Sequence, residues 1–270
     1  MTIMMKKNIL KGLLCLTLAI ASLPFSSCKD DGYPSITLTP VSGETPSLEN
    51  NVLEMPLFSE GISFYIAGGN GSYVIENPDT DKIDYRYDGN QLTILPKALG
   101  TASLTISDRA GNYMTLQVHV SYPETTYEIS KVSGIARGGG LTQDETLDIQ
   151  HAIVANAFVQ AGGKYVFTYT NESHTEGMVT LYADGTGTDE RHGIFTQTAQ
   201  DNGDFRIHIE LTGGTDYDLT LSDSFNPNTG TKSEMTPERI LWQDVTDTYR
   251  SSYPELEEAY CLQYIPGETL

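Results

Sequence analysis

Gly100 to Tyr122 read GTASLTISDRAGNYMTLQVHVSY, two runs of alternating apolar and polar residues on either side of a turn. Leu104 and Ile106 alternate with Thr105 and Ser107; Leu116, Val118 and Val120 alternate with Gln117, His119 and Ser121. A period of two with β-branched enrichment means that one face of each run is buried and the other solvated, so both are strands of an antiparallel pair. Ala110-Gly111-Asn112 supplies the turn between them.

The same period extends upstream. Ile36 and Leu38 alternate with Thr37 and Thr39, and Ile62, Phe64 and Ile66 with Ser63, Tyr65 and Ala67. Turn signals stand between the runs at Gly68-Gly69-Asn70-Gly71, Asn77-Pro78-Asp79, Asp88-Gly89-Asn90 and Leu99-Gly100. Val41 to Pro56 is irregular and leaves the first sheet edge open. About seven short strands in this length favour a β-sandwich.

Three blocks in this region carry a resemblance. Gly68 to Tyr73, Asp88-Gly89-Asn90-Gln91-Leu92-Thr93-Ile94 and Gly100 to Asn112 resemble, in order and spacing, the bacterial immunoglobulin-like domains of exported Bacteroidetes proteins. The resemblance implies that the Gly-Thr-Ala block starts a penultimate strand and that the Asp-x-x-Gly-Asn block turns the chain into the last one. It also implies a spacer or binding module, not an enzyme. It covers residues 35–122. Gly68-Gly69-Asn70-Gly71 lacks the strand-to-helix context and the Lys-Ser/Thr ending of a phosphate loop, so it reads as a turn.

Tyr122-Pro123-Glu124 ends this region, and residues 123–270 read as an α+β domain. Thr142 and Glu145 have the spacing of a capping box, and Gly162-Gly163 is a stop, so a helix is expected over Gln143 to Gln160, with a strand over its β-prone end as the alternative. Alternation then resumes at Tyr165, Phe167 and Tyr169, at Phe205, Ile207, Ile209 and Leu211, and at Tyr217, Leu219 and Leu221. One helix and an antiparallel meander place the helix over a sheet face or in the end of a barrel. The Tyr165 to Tyr169 and Val179 to Thr188 blocks are similar to strands of lipocalin-like barrels. In the tail, Asp244 or Thr246 caps a short helical turn, Pro254 interrupts it, and Tyr260 to Ile265 closes the sheet. This tail resembles uncharacterised lipoproteins of the same bacterial group.

The other end of the chain sets its address. Lys6, Lys7 and Lys11 precede the uncharged run Leu13 to Leu23, which is too short for a membrane span of about 20 residues and fits a signal-peptide core. Ser26, Ser27 and Cys28 resemble the lipobox of bacterial lipoproteins, in which the cysteine sulfur is diacylated after cleavage. Lys29-Asp30-Asp31 is similar to the export signal of Bacteroidetes surface lipoproteins. The expected plan is a signal peptide over 1–27, a lipidated tether over 28–34, then the two domains, at the outer membrane and exposed on the cell surface. Buried acyl chains contribute about 0.8 kcal/mol per methylene, so two or three of them hold a protein on a membrane.

Composition excludes several functions. Thirty-six acidic and 16 basic residues give a formal charge of −20, and three of the lysines leave with the leader. This balance opposes binding to nucleic acid or to anionic lipid surfaces. Of the three cysteines, Cys15 leaves with the leader and Cys28 is acylated, so Cys261 has no disulfide partner. Its apolar setting reads as a packed thiol. No zincin, phosphate-loop or nucleophile-elbow spacing occurs, and no cofactor motif. His119 and His151 read as surface or packed side chains, and Asp184, Thr186, Thr188, Asp189 and Glu190 miss the EF-hand spacing.

The function expected from these readings is a non-enzymatic surface lipoprotein that binds a glycan or a protein partner. Trp242, Tyr249 and Tyr253 are the candidate aromatic platform. The alternative is a hydrolase, for which acids such as Asp184 and Glu190 have to converge in one pocket.

Overall fold

A computed structural model describes residues 32–41, 48, 50–223, 225 and 239–266. The leader, Cys28, Lys29, Asp30 and Asp31 lie outside the described residues. Among the described residues eight strands precede residue 122: β1 (Thr37–Pro40), β2 (Val52–Pro56), β3 (Ile62–Ala67), β4 (Tyr73–Glu76), β5 (Ile83–Asp88), β6 (Gln91–Pro96), β7 (Gly100–Asp108) and β8 (Tyr113–Ser121). They form two four-stranded sheets, β1-β3-β6-β5 and β2-β8-β7-β4. The stretch Gly100 to Tyr122 is the central hairpin of the second, with Leu104 opposite Leu116 and Ile106 opposite Met114. Its inward residues meet Phe64, Leu92 and Ile94 of the other sheet in one core. The irregular stretch contains β2, which runs parallel to β8 at the sheet edge.

Beyond Tyr122 come β9 (Glu124–Glu128), β10 (Lys131–Arg137), α1 (Gln143–Asn156), β11 (Lys164–Tyr169), β12 (Glu176–Tyr182), β13 (Glu190–Ala199), β14 (Phe205–Leu211), β15 (Thr215–Ser222), β16 (Arg239–Asp244), α2 (Thr246–Arg250) and β17 (Glu258–Ile265). They make a nine-stranded antiparallel sheet in the order β10-β17-β16-β15-β14-β13-β12-β11-β9, curled into a half-barrel. The two edge strands are neighbours in the chain, joined by Ile129 and Ser130 alone. The Ile129 amide donates to the Gly163 carbonyl on one side and the Ser130 amide to the Tyr264 carbonyl on the other. A sheet whose opposite edges are two residues apart has to curl. Gly177 and Gly193 help it: a Cβ on either meets backbone of the adjacent strand, at 2.0 Å from the Thr168 oxygen and 2.3 Å from the Glu210 oxygen.

The concave face is filled. Phe167 and Phe195 meet edge to face at 4.8 Å, and Tyr169 packs on Phe195 at 5.5 Å. Ile207, Leu219 and Leu241 complete this core. Its buried polar groups are satisfied in series: the Tyr165 hydroxyl donates to Gln263 Oε1 at 2.8 Å, and Gln263 Nε2 donates to the Val159 carbonyl at 2.7 Å. A void of about 20 Å³ remains beside them, room for one water-sized group.

Helix α1 seats on β10 and packs Ile149 and Ile153 against Ala136, Ala259 and Cys261. Val132 touches both this cluster and the main one, so the helix covers an end of the curled sheet. The capping box at Thr142 and Glu145 is present. The helix ends at Asn156, short of the expected Gln160. Ala157 is extended, Val159 is pulled into the sheet core, and the Gln160 side-chain Nε2 donates to the Val154 carbonyl at 2.9 Å, closing the helix end before Gly162-Gly163. The tail departs from its reading at the cap: the N-cap of α2 is Val245, with no side-chain cap hydrogen bond, and Asp244 Oδ1 instead accepts the Thr246 amide at 2.9 Å from one residue earlier. Helix α2 ends at Arg250, before Pro254, and β17 joins β16 to β10 as expected.

Candidate functional site

Alternation on four consecutive strands sends Ile207, Leu219, Leu241 and Gln263 inward and therefore sends their neighbours out. Register then brings the outward set into one place. Arg206 faces Thr220, Thr220 faces Trp242, and Asp244 faces Tyr260. With α2 and Glu257 as a wall, these residues line an open groove of about 700 Å³ on the convex side of the sheet.

Its floor is aromatic. Trp242 and Tyr260 are half-buried, their ring centroids 5.7 Å apart at 86°. Phe225 packs on both, at 5.3 and 5.5 Å. Perpendicular rings hold one another's orientation while leaving parts of their faces open.

Its rim is acidic. Asp218, Asp244, Asp247, Glu257 and Glu258 line it, against Arg206 and Arg250. Arg250 is committed to Asp247 at 2.6 Å. Arg206 is exposed and no carboxylate among the described residues pairs with it. Burial, followed by the negative charges of Glu258 and Asp244, raises the Tyr260 phenol above its ordinary pKa. Asp218 takes a hydrogen bond from His208 at 3.0 Å, and that bond, aided by Glu210 and Asp216 against the effect of burial, raises the His208 pKa. Threonines 220, 246 and 248 add hydroxyls. Thr246 is buried and its Oγ1 accepts the Ala259 amide at 2.9 Å, which ties α2 to the start of β17.

Of the candidate platform, Trp242 stands in the groove. Tyr249 and Tyr253 do not join it: both pack on the other side, against the α1 cluster, and the Tyr249 hydroxyl accepts from Asn156 Nδ2 at 3.1 Å. Trp242 is joined there instead by Tyr260, and Phe225 packs on both rings without lining the groove. Tyr260 was readable as a strand aromatic, but its position beside Trp242 follows from the pairing of β16 with β17; Phe225 carries no periodic signal.

The other candidates lie elsewhere. Asp184 and Glu190 flank the β12–β13 hairpin and do not line the groove; Asp184 Oδ1 accepts the Thr186 amide at 2.8 Å and its hydroxyl at 2.6 Å, hydrogen bonds that lower its pKa. Among the described residues no three His, Cys, Asp or Glu side chains gather where they could hold a metal ion. His119 is half-exposed with Nδ1 2.9 Å from Glu54, and His151 is exposed on α1. Cys261 is buried against α1, and burial pushes its thiol up to about 11, so it is a packed, unreactive sulfur at neutral pH. Among the described residues no helix is long and apolar enough to cross a membrane. No protein-family model matches the chain, and neither does any curated protein.

Proposed function

We propose that this chain is a lipid-anchored, cell-surface lipoprotein that binds a glycan without transforming it. Cys28 carries the lipid and Lys29-Asp30-Asp31 direct export; β1 to β8 form an immunoglobulin-like β-sandwich that acts as a spacer; the half-barrel is the outer, binding part. The pairing of two four-stranded sheets over one core supports the sandwich reading. The observation that carries the binding reading is the convex groove. It sets a half-buried Trp242 and Tyr260 within a rim of carboxylates and hydroxyls. Protein hot spots sit in fully desolvated pockets. An open, polar groove with aromatic planes instead suits a ligand that has a hydroxyl edge and an apolar face.

Labelled fatty acid and protease shaving of intact cells test the anchor together. The expected result is label on the wild type, loss of label and release to the soluble fraction in Cys28→Ala, and cleavage of the wild type on intact cells. Full protection from the protease, or a Cys28→Ala protein still held in the membrane, would refute the placement. Affinity gels with polysaccharides test binding, and sugar release on long incubation would replace the binder with a hydrolase.

A further inference from the structure

Resting on that reading, we infer that the groove takes an uncharged saccharide chain and turns acidic saccharides away. A pyranose ring presents C–H groups on its faces and hydroxyls around its edge. Trp242 and Tyr260 supply the surface for the first, and Asp218, Asp244 and the hydroxyls of Thr220 and Thr248 the partners for the second. Carboxylates accept from sugar hydroxyls with charge-assisted strength. They repel a sugar that carries its own carboxylate or sulfate.

The local charge decides the class. Five carboxylates line the groove and two cations answer them, one of which, Arg250, is already paired with Asp247 at 2.6 Å. Asp218 is hydrogen-bonded to His208, and that bond favours the charged imidazolium, so the charge of Asp218 is partly offset. Glu258 has a distant partner in Arg137, at 3.8 Å. Arg206 alone faces a whole negative rim, within a chain of net charge −20. The field at the groove is therefore negative at neutral pH, and it extends over about a Debye length, roughly 8 Å at physiological salt. The groove, at about 700 Å³, has the size of a site for an extended ligand of a few rings.

The test is an array of cello-, malto-, xylo-, manno- and galacturono-hexaose probed with the lipid-free chain. The expected result is retention of at least one neutral hexaose, about 10-fold or more above galacturonohexaose in 0.15 M salt. Trp242→Ala should lose the neutral signal, with circular dichroism confirming the fold. Glu257→Gln combined with Glu258→Gln, at exposed positions, should narrow the ratio of neutral to acidic sugar retained. Preferred binding of galacturonohexaose, binding unchanged in Trp242→Ala, or silence across the array would each overturn the inference. Silence here with the anchor and shaving results intact, and a protein captured instead, would remove the saccharide while leaving the surface placement standing.

Discussion

Asp108 shows how one side chain holds several turns. It is buried, and its two oxygens accept from the amides of Asn70, Ala110 and Asn112 and from Asn112 Nδ2, all at 2.8 to 2.9 Å. Burial raises its pKa; the donated bonds outweigh that and hold it below the ordinary carboxylate value. A depressed folded pKa contributes stability above the unfolded value of about 3.9, and that contribution is lost as pH falls through the folded one. Asp108→Ala is expected to lower Tm by about 5 °C or more at pH 7. Its gap to the wild type should shrink in thermal melts taken from pH 5 down to pH 2. A gap that stays constant with pH would refute the carboxylate's role. The local half of this arrangement was legible, because Asp-x-x-Gly-Asn is turn chemistry. The bond to Asn70 was not, since it joins two turns that only the sheet pairing brings together. Trp242 follows the same rule: the residue could be singled out, its neighbour Tyr260 could not.

At the scale of elements, α1 rests on β10 at a glycine. A Cβ on Gly134 would stand 2.5 Å from the Gln150 carbonyl oxygen and 3.0 Å from Ile153 Cβ, so any side chain there lifts the helix from its seat. Gly134→Val is expected to cost about 1–3 kcal/mol in urea unfolding. Gly139→Ala is the control: its Cβ has a nearest contact of 3.7 Å, and the change should be within about 0.5 kcal/mol of wild type. Equal costs would show that the seat is not tight. The start of α1 was legible because the capping box is local. Its end was not, because Val159 leaves the helix to fill the sheet core, and the pull of that core is invisible in the helical stripe.

At the scale of the whole molecule, alternation sorted β1, β3, β7, β8, β11, β14 and β15 to their buried and solvated faces, and the mainly β architecture was readable from it. The curl of the second sheet stayed open between a sheet and a barrel, because nothing in β9 and β10 says that consecutive segments lie at opposite edges. That curl fills the concave side with Phe167, Phe195 and Tyr169, and the groove beside Trp242 lies on the other side. Ring contacts also join the two parts: Phe58 lies 6.1 Å from Tyr122 and 6.4 Å from His174, which stacks on Tyr169 at 4.8 Å. On the proposed function, ligands meet the chain at Trp242. Because Trp242 is its one tryptophan, intrinsic fluorescence reports from the groove itself. Titration with a neutral hexaose retained on the array should give a saturable change in emission whose midpoint matches the affinity measured by calorimetry. Calorimetric binding with no change in tryptophan emission would place the ligand elsewhere and contradict the account.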